Sequence, residues 1–132
     1  MQVFADAFED EGTYLQAPPE NDYLAGLLAR EDFIALAAET EGAALVGGLT
    51  AYILKKPEQM RSEVYIYDLA VAAHHRREGI ATRLIGALKP IARAAGAWVI
   101  YVQADDGDRP AVALYEKCGR KQAVLHFDIP VE

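Results

Sequence analysis

The sequence predicts an α/β fold, a mixed central β-sheet flanked by helices. Two observations carry the prediction. Apolar runs of strand type at Phe33 to Glu39, Ala44 to Leu54, Val64 to Val71 and Trp98 to Val102 alternate with stretches whose apolar residues repeat every three to four positions. The stretch Glu63 to Gly96 packs a strand, a basic turn and an amphipathic helix into one continuous unit. Strands and helices in this order give a layered α/β domain, here one domain over residues 1–132.

Each element has its own signal. Val3 to Phe8 suits a short helix broken by Gly12, and Pro18-Pro19 forbids regular structure after it. Asn21 or Asp22 can cap a helix to about Arg30, with Tyr23, Leu27 and Leu28 on one face. Between the first two strands Thr40-Glu41-Gly42 makes a turn, and Gly47-Gly48 inside the second signals a bulge or a close backbone approach. Lys55 to Ser62 is a polar link. The run Val64-Tyr65-Ile66-Tyr67-Asp68-Leu69-Ala70-Val71 suits a strand covered on both faces. From about Glu78 the apolar set Ile80, Leu84, Leu88, Ile91 and Ala95 sets a helix that Gly96 stops; Pro90 is too deep for a first-turn proline and should kink the axis near Gly86. After the fourth strand Asp108 can cap a helix with Pro110 in its first turn, Ala111, Leu114, Tyr115 and Cys118 on one face and Gly119 at its end. Ala123 to Pro130 reads as an edge strand.

Composition narrows the partners. The net charge of −7 argues against nucleic acid or an anionic membrane. No run approaches a membrane span and no signal-peptide pattern opens the chain, which implies a cytoplasmic protein. Cys118 has no partner for an internal disulfide and reads as a small core residue rather than a catalytic thiol. No metal-ligand spacing involves His74, His75 or His126. The charge is also sorted along the chain. Residues 1 to 29 hold Asp6, Glu9, Asp10, Glu11, Glu20 and Asp22 with no Lys or Arg, and Asp105, Asp106 and Asp108 follow the fourth strand. Arg76, Arg77, Arg83, Lys89 and Arg93 gather around the start of the long helix, where an anion site is expected. One ligand should therefore be a polyanion and the other a cation.

The chemistry concentrates at Arg76-Arg77-Glu78-Gly79-Ile80-Ala81, where strand gives way to helix. A helix N-terminus offers unpaired N–H groups and a positive dipole end, and small residues let a ligand reach the backbone. Two arginines beside it make an anion site, most naturally for a pyrophosphate. Neither the phosphate loop of nucleotidases nor the dinucleotide fingerprint is present.

The spacing Arg-x-x-Gly-x-Ala after a buried strand, followed by Ala111-Val112-Ala113-Leu114-Tyr115, resembles the acyl-CoA loop and the later helix of the GNAT superfamily of N-acyltransferases. Over nearly the whole chain, from Arg61 to Val71, His75 to Thr82, Val99 to Asp105, Pro110 to Tyr115 and His126 to Ile129, the sequence looks like the gentamicin (aminoglycoside) 3-N-acetyltransferases. That resemblance implies acetyl-CoA as the acyl donor and a polycationic acceptor whose acetylation confers antibiotic resistance. Two departures stand out: the strand that usually opens the fold is missing from the pattern, either absent or truncated at the start, and a common Asn is Asp108 here.

The resemblance also implies site residues. Pantetheine would pair with Leu69, Ala70 and Val71, and the pyrophosphate would sit on Arg76, Arg77, Glu78, Gly79, Ile80, Ala81 and Thr82. Asp68 would accept the proton of the attacking amine, and Tyr115 would donate to the leaving thiolate. Tyr67, Asp68, Asp105, Asp108 and Asp128 would hold substrate ammonium groups, with Glu9 to Glu11 near the entrance. The same fold could instead acetylate another small amine, a polyamine or a peptide N-terminus, or bind CoA without turnover. Exposed strand edges favour a homodimer.

Overall fold

Four strands in the order β1-β2-β3-β4 carry the architecture of the computed structural model, which describes residues 21–132. The expected opening helix at Val3 to Phe8, Gly12, Pro18-Pro19, Glu9 to Glu11 with the other early acids, and the expectation that no strand precedes the first helix lie outside the described residues. Helix α1 (Asn21–Leu28) leads into β1 (Phe33–Glu39), β2 (Leu45–Lys55) and β3 (Ser62–Val71). A 3-10 turn (Ala73–His75), helix α2 (Ile80–Ala94), strand β4 (Ala97–Val102) and helix α3 (Arg109–Cys118) follow. β1–β2 and β2–β3 are antiparallel and β3–β4 is parallel, so the sheet is mixed and α2 is the crossover between its two parallel strands.

One face of this sheet is buried by α2. The helix lays Ile80, Leu84, Ile85, Leu88 and Ala92 onto Ile34, Val46, Leu49, Ala51, Val64 and Ile66. Each large aliphatic side chain buried there contributes about 1.5–3 kcal/mol. The helix runs unbroken through Pro90 to Ala94. It ends as the glycine predicts: Gly96 takes φ +76°, and its N–H donates to the Arg93 carbonyl.

Each antiparallel pair of the sheet carries a bulge. Opposite Ala38 and Glu39, β2 carries the extra residue Val46. Beside it a Cβ on Gly47 would stand 3.0 Å from Ile80 Cγ2 and 3.3 Å from the Ala70 carbonyl, so the close approach signalled by the glycine pair is real. The second bulge lies in β3, where Ala51 pairs with Ile66 but Thr50 pairs with Asp68, leaving Tyr67 as the extra residue.

Several expectations are corrected. β3 is not covered on both faces among the described residues: Val64 and Ile66 are buried, whereas Tyr67 is 63% exposed. On α1 the half-buried residues are Leu24 and Leu27; Tyr23 and Leu28 point to solvent, because among the described residues only β1 packs against this helix to any extent. Cys118 is exposed rather than in the core, since it closes the last turn of a helix whose inward contacts are made by Leu114 and Tyr115. Residues 120–132 form neither helix nor paired strand, so the edge strand expected at Ala123 to Pro130 is absent from the sheet of this chain.

Candidate active site

The site forms where β3 and β4 part. Their parallel pairing ends at Ile66 opposite Val102, yet β3 runs on to Val71. Among the described residues no strand therefore flanks Leu69, Ala70 and Val71 on the β4 side. A peptide-like ligand can add there as a strand would. Sheets of this kind bind ligands beyond the carboxyl ends of parallel strands, and both ends face this gap.

The β3 bulge decides where Asp68 points. Strict alternation would put Asp68 on the core face with Val64 and Ile66. Because Tyr67 is the extra residue, Leu69 and Val71 pack against the core instead, and Asp68 falls opposite Thr50 on the other face. Thr50 Oγ1 lies 3.5 Å from Asp68 Oδ2, and the carboxylate is half-buried. On the same face an aromatic ladder crosses the sheet. Phe33 meets Tyr52 at 5.2 Å, Tyr52 meets Tyr67 at 5.9 Å, Tyr67 meets Tyr65 at 6.1 Å, and Tyr65 stacks on Tyr101 at 4.7 Å. Tyr65 Oη donates to Gln103 Oε1 at 3.0 Å, tying the end of β4 to β3 beside the gap. Burial, with Tyr67 and Asp68 nearby, pushes the Tyr65 phenol above its ordinary pKa.

Next to the end of β3 lies the start of α2. Gly79 is its N-cap with φ +77°, no side chain caps the helix, and a Cβ on Gly79 would meet nothing within 4 Å. Its role is the left-handed turn and the open space above it, not tight packing. The N–H groups of Ile80, Ala81 and Thr82 begin the helix and so have no carbonyl one turn back to bond. Arg77 is held at φ +68°, a conformation that a non-glycine residue adopts at a cost. Arg76 Nε donates to the Val71 carbonyl at 3.3 Å, and Arg83 donates from Nη2 to the Glu78 carbonyl at 3.1 Å. His75 and Glu78 bridge at 3.2 Å across the loop. Ile80, buried against Gly47, seats the whole turn on β2. Lys89 and Arg93 do not belong to this cluster: at 1.5 Å per residue they stand roughly 14 and 20 Å along α2 from Ile80.

The acidic loop after β4 completes the surroundings. Asp105 and Asp108 are exposed, and Asp108 accepts from the Ala111 N–H at 3.3 Å as the cap of α3. Tyr115, on that helix, packs against the core, and its phenol is pushed up to about 12, by burial first and then by Asp108 and Cys118. It therefore keeps its proton throughout the neutral range. Asp128 stands apart on residues 120–132, 96% exposed, with Oδ1 2.8 Å from His126 Nε2. The structure thus brings Tyr67, Asp68 and Leu69 to Val71 together with the loop from Arg76 to Thr82, while Asp128 lies on the exposed tail. Thr50, Tyr65 and Gln103 are additions that only the β3 bulge and the strand register reveal. Among the described residues no group of three or more His, Cys, Asp or Glu could hold a metal ion.

Comparison with known proteins identifies the family and the fold. Residues 1–119 match the model of the acetyltransferase (GNAT) family. An aminoglycoside acetyltransferase from an uncultured soil metagenomic sample superposes with a TM-score of 0.95 at 56% identity, covering 98% of this chain and 86% of its own. A second soil aminoglycoside acetyltransferase, solved in complex with sisomicin, matches at 30% identity and a TM-score of 0.91 over 99% of this chain and 85% of its own. A ribosomal-protein-alanine N-acetyltransferase from Brucella melitensis shares the fold at 24% identity and a TM-score of 0.73, covering 99% and 92%. No curated protein matches the chain. With the family match over residues 1–119, the chain belongs to the acetyltransferase (GNAT) family.

Proposed function

We propose that the protein transfers the acetyl group of acetyl-CoA to an amino group of an aminoglycoside, the 3-amino group of a gentamicin-type 2-deoxystreptamine ring, and so confers resistance in the cytoplasm. The observation that carries the reading is the open edge of Leu69 to Val71 beside the uncapped start of α2. The residues fit the donor: the edge offers backbone groups to pantetheine amides, and the N–H groups from Arg77 to Thr82 with the Arg76 and Arg77 guanidiniums suit a diphosphate. Acetyl-CoA, when bound, would supply the acetyl group activated as a thioester.

This chain's residues then divide the proton work. Asp68 reaches the gap from the aromatic face and accepts the amine proton, directly or through water. Tyr115 packs on the helix side and is protonated at neutral pH, the form that donation to a leaving thiolate requires. A cationic acceptor fits Asp68, Tyr67 and the exposed Asp105, with the ladder tyrosines as a floor that favours cations. Asp108 has its carboxylate engaged as a cap, so its charge reaches the substrate at longer range. The 56% identity to an aminoglycoside acetyltransferase supports this acceptor over a polyamine, another small amine or a peptide N-terminus.

The test is CoA release followed with a thiol reagent. Purified protein with acetyl-CoA should release CoA with gentamicin or sisomicin, and fragment mass spectrometry should place the acetyl on the 3-amino group. Release with other amines alone would reject the acceptor. Binding without turnover would leave a CoA-binding module.

A further inference from the structure

Two polar side chains stand on the aromatic face at the two banks of the gap, Asp68 on β3 and Gln103 just past the end of β4. The register places them. β3 and β4 last pair at Ile66 opposite Val102, so Gln103 is the first residue beyond the pairing on one bank, and Asp68 lies just beyond the bulge residue Tyr67 on the other. Alternation along β4 carries Gln103 to the face of Tyr101.

Tyr65 holds the Gln103 amide from there. Its ring lies flat on that of Tyr101, its direct cross-strand partner, with 4.7 Å between centroids and 8° between planes. A phenol has one hydrogen to give, and this one goes to Gln103 Oε1 at 3.0 Å. An amide carries one accepting oxygen and a donating NH2 group. With the oxygen engaged, what Gln103 keeps for a ligand is the NH2 group of a side chain exposed at the mouth of the gap.

The opposite bank does the reverse, because an ionised carboxylate such as that of Asp68 only accepts. An acceptor amine drawn to Asp68 is therefore flanked by a donor across the gap. A polyamine carries only methylenes beside its amine and would leave the Gln103 N–H bonds unmatched. An amine on a ring carbon whose neighbour bears oxygen matches both banks.

We propose that Gln103, positioned by Tyr65, donates a hydrogen bond to the oxygen neighbouring the reacting amine, and so selects aminocyclitols over bare amines. The proposal rests on the reading of this site as an aminoglycoside acetyltransferase with Asp68 beside the amine. In 2-deoxystreptamine the carbon next to the 3-amino group carries such an oxygen. A site built to donate to an oxygen rejects analogues that lack it, because its own donor is then left unpaired.

The experiment follows CoA release by the full chain. Gln103 is exposed, so replacing it leaves the core untouched. Gln103→Leu should raise KM for gentamicin roughly three- to tenfold, as loss of one neutral hydrogen bond does, with KM for acetyl-CoA and Tm unchanged. Tyr65→Phe should raise the gentamicin KM by less, and should add nothing in the Gln103→Leu background, a coupling that a merely structural tyrosine would not show. As a competitor of gentamicin, 2-deoxystreptamine should bind the parent more tightly than the cyclohexane diamine that keeps both amines and lacks every hydroxyl, and Gln103→Leu should erase that preference. An unchanged gentamicin KM in Gln103→Leu, additive effects of the two substitutions, or equal competition by the two cyclic diamines overturns the proposal and leaves the acetyltransferase reading standing. A parent protein that acetylates no aminoglycoside overturns both.

Discussion

Replacing Gly47 by alanine tests how the core positions the proposed diphosphate site. The new Cβ would stand 3.0 Å from Ile80 Cγ2, 3.3 Å from the Ala70 carbonyl and 3.4 Å from the Ala38 Cβ. Carbon atoms in contact prefer about 3.5–4.0 Å, so the Ile80 side chain must give by roughly half an ångström. Overpacking of this kind costs about 1–3 kcal/mol. Restricting the unfolded chain returns about 0.4–1 kcal/mol of it. The net is a loss of about 1–2 kcal/mol, a fall in Tm of roughly 3–10 °C for a domain of this size. Ile80 opens α2, so its displacement moves the N–H groups offered to the donor, and KM for acetyl-CoA should rise several-fold. Scanning calorimetry and donor-saturation kinetics read both effects. Gly86→Ala is the control: nothing lies within 4 Å of its Cβ position, and alanine in mid-helix should stabilise by about 0.5–1 kcal/mol. A Gly47→Ala protein as stable as the parent and with unchanged KM would refute the reasoning.

Asp68→Asn should lower kcat by 100-fold or more, as loss of a general base does, while calorimetric binding of acetyl-CoA changes little; an unchanged rate would remove Asp68 as the base. Tyr115→Phe should lower kcat about tenfold to a hundredfold with donor affinity preserved. Because burial raises the folded Tyr115 pKa to about 12 from near 10, the unfolded chain loses this proton first as pH rises. The contribution of the neutral phenol to stability is thus complete below pH 10 and declines between pH 10 and 12, a decline that Tyr115→Phe should abolish in denaturant titrations. Leu88→Ala, at a fully buried position on α2, should destabilise by about 2–5 kcal/mol in urea unfolding.

Much of the fold was legible because period and punctuation agree. Phe33 to Glu39 matches its strand residue for residue, Gly96 ends the long helix with a positive φ, and Asp108 caps the last one. The turn from Arg76 to Ala81 into the long helix was legible because its signals, a glycine and the start of a 3.6-residue apolar period, are local. What escaped is set by pairing between distant segments. Strict alternation cannot show that Tyr67 is a bulge residue, yet that one insertion moves Asp68 off the core face. The early end of β4 pairing, which opens Leu69 to Val71, is a property of register and leaves no mark on either strand alone. Cys118 and the Leu125 to Val131 alternation misled for the same reason. Apolar character records what a segment can pack against, and among the described residues these side chains stay exposed.

The most direct measurement is a crystal structure with CoA and an aminoglycoside. The account predicts the diphosphate on the N–H groups between Arg77 and Thr82, the pantetheine amides along Leu69 to Val71, and the Asp68 carboxylate within hydrogen-bond reach of the acceptor amine or its bridging water. A diphosphate bound elsewhere, or Asp68 turned from the sulfur of CoA, would contradict it.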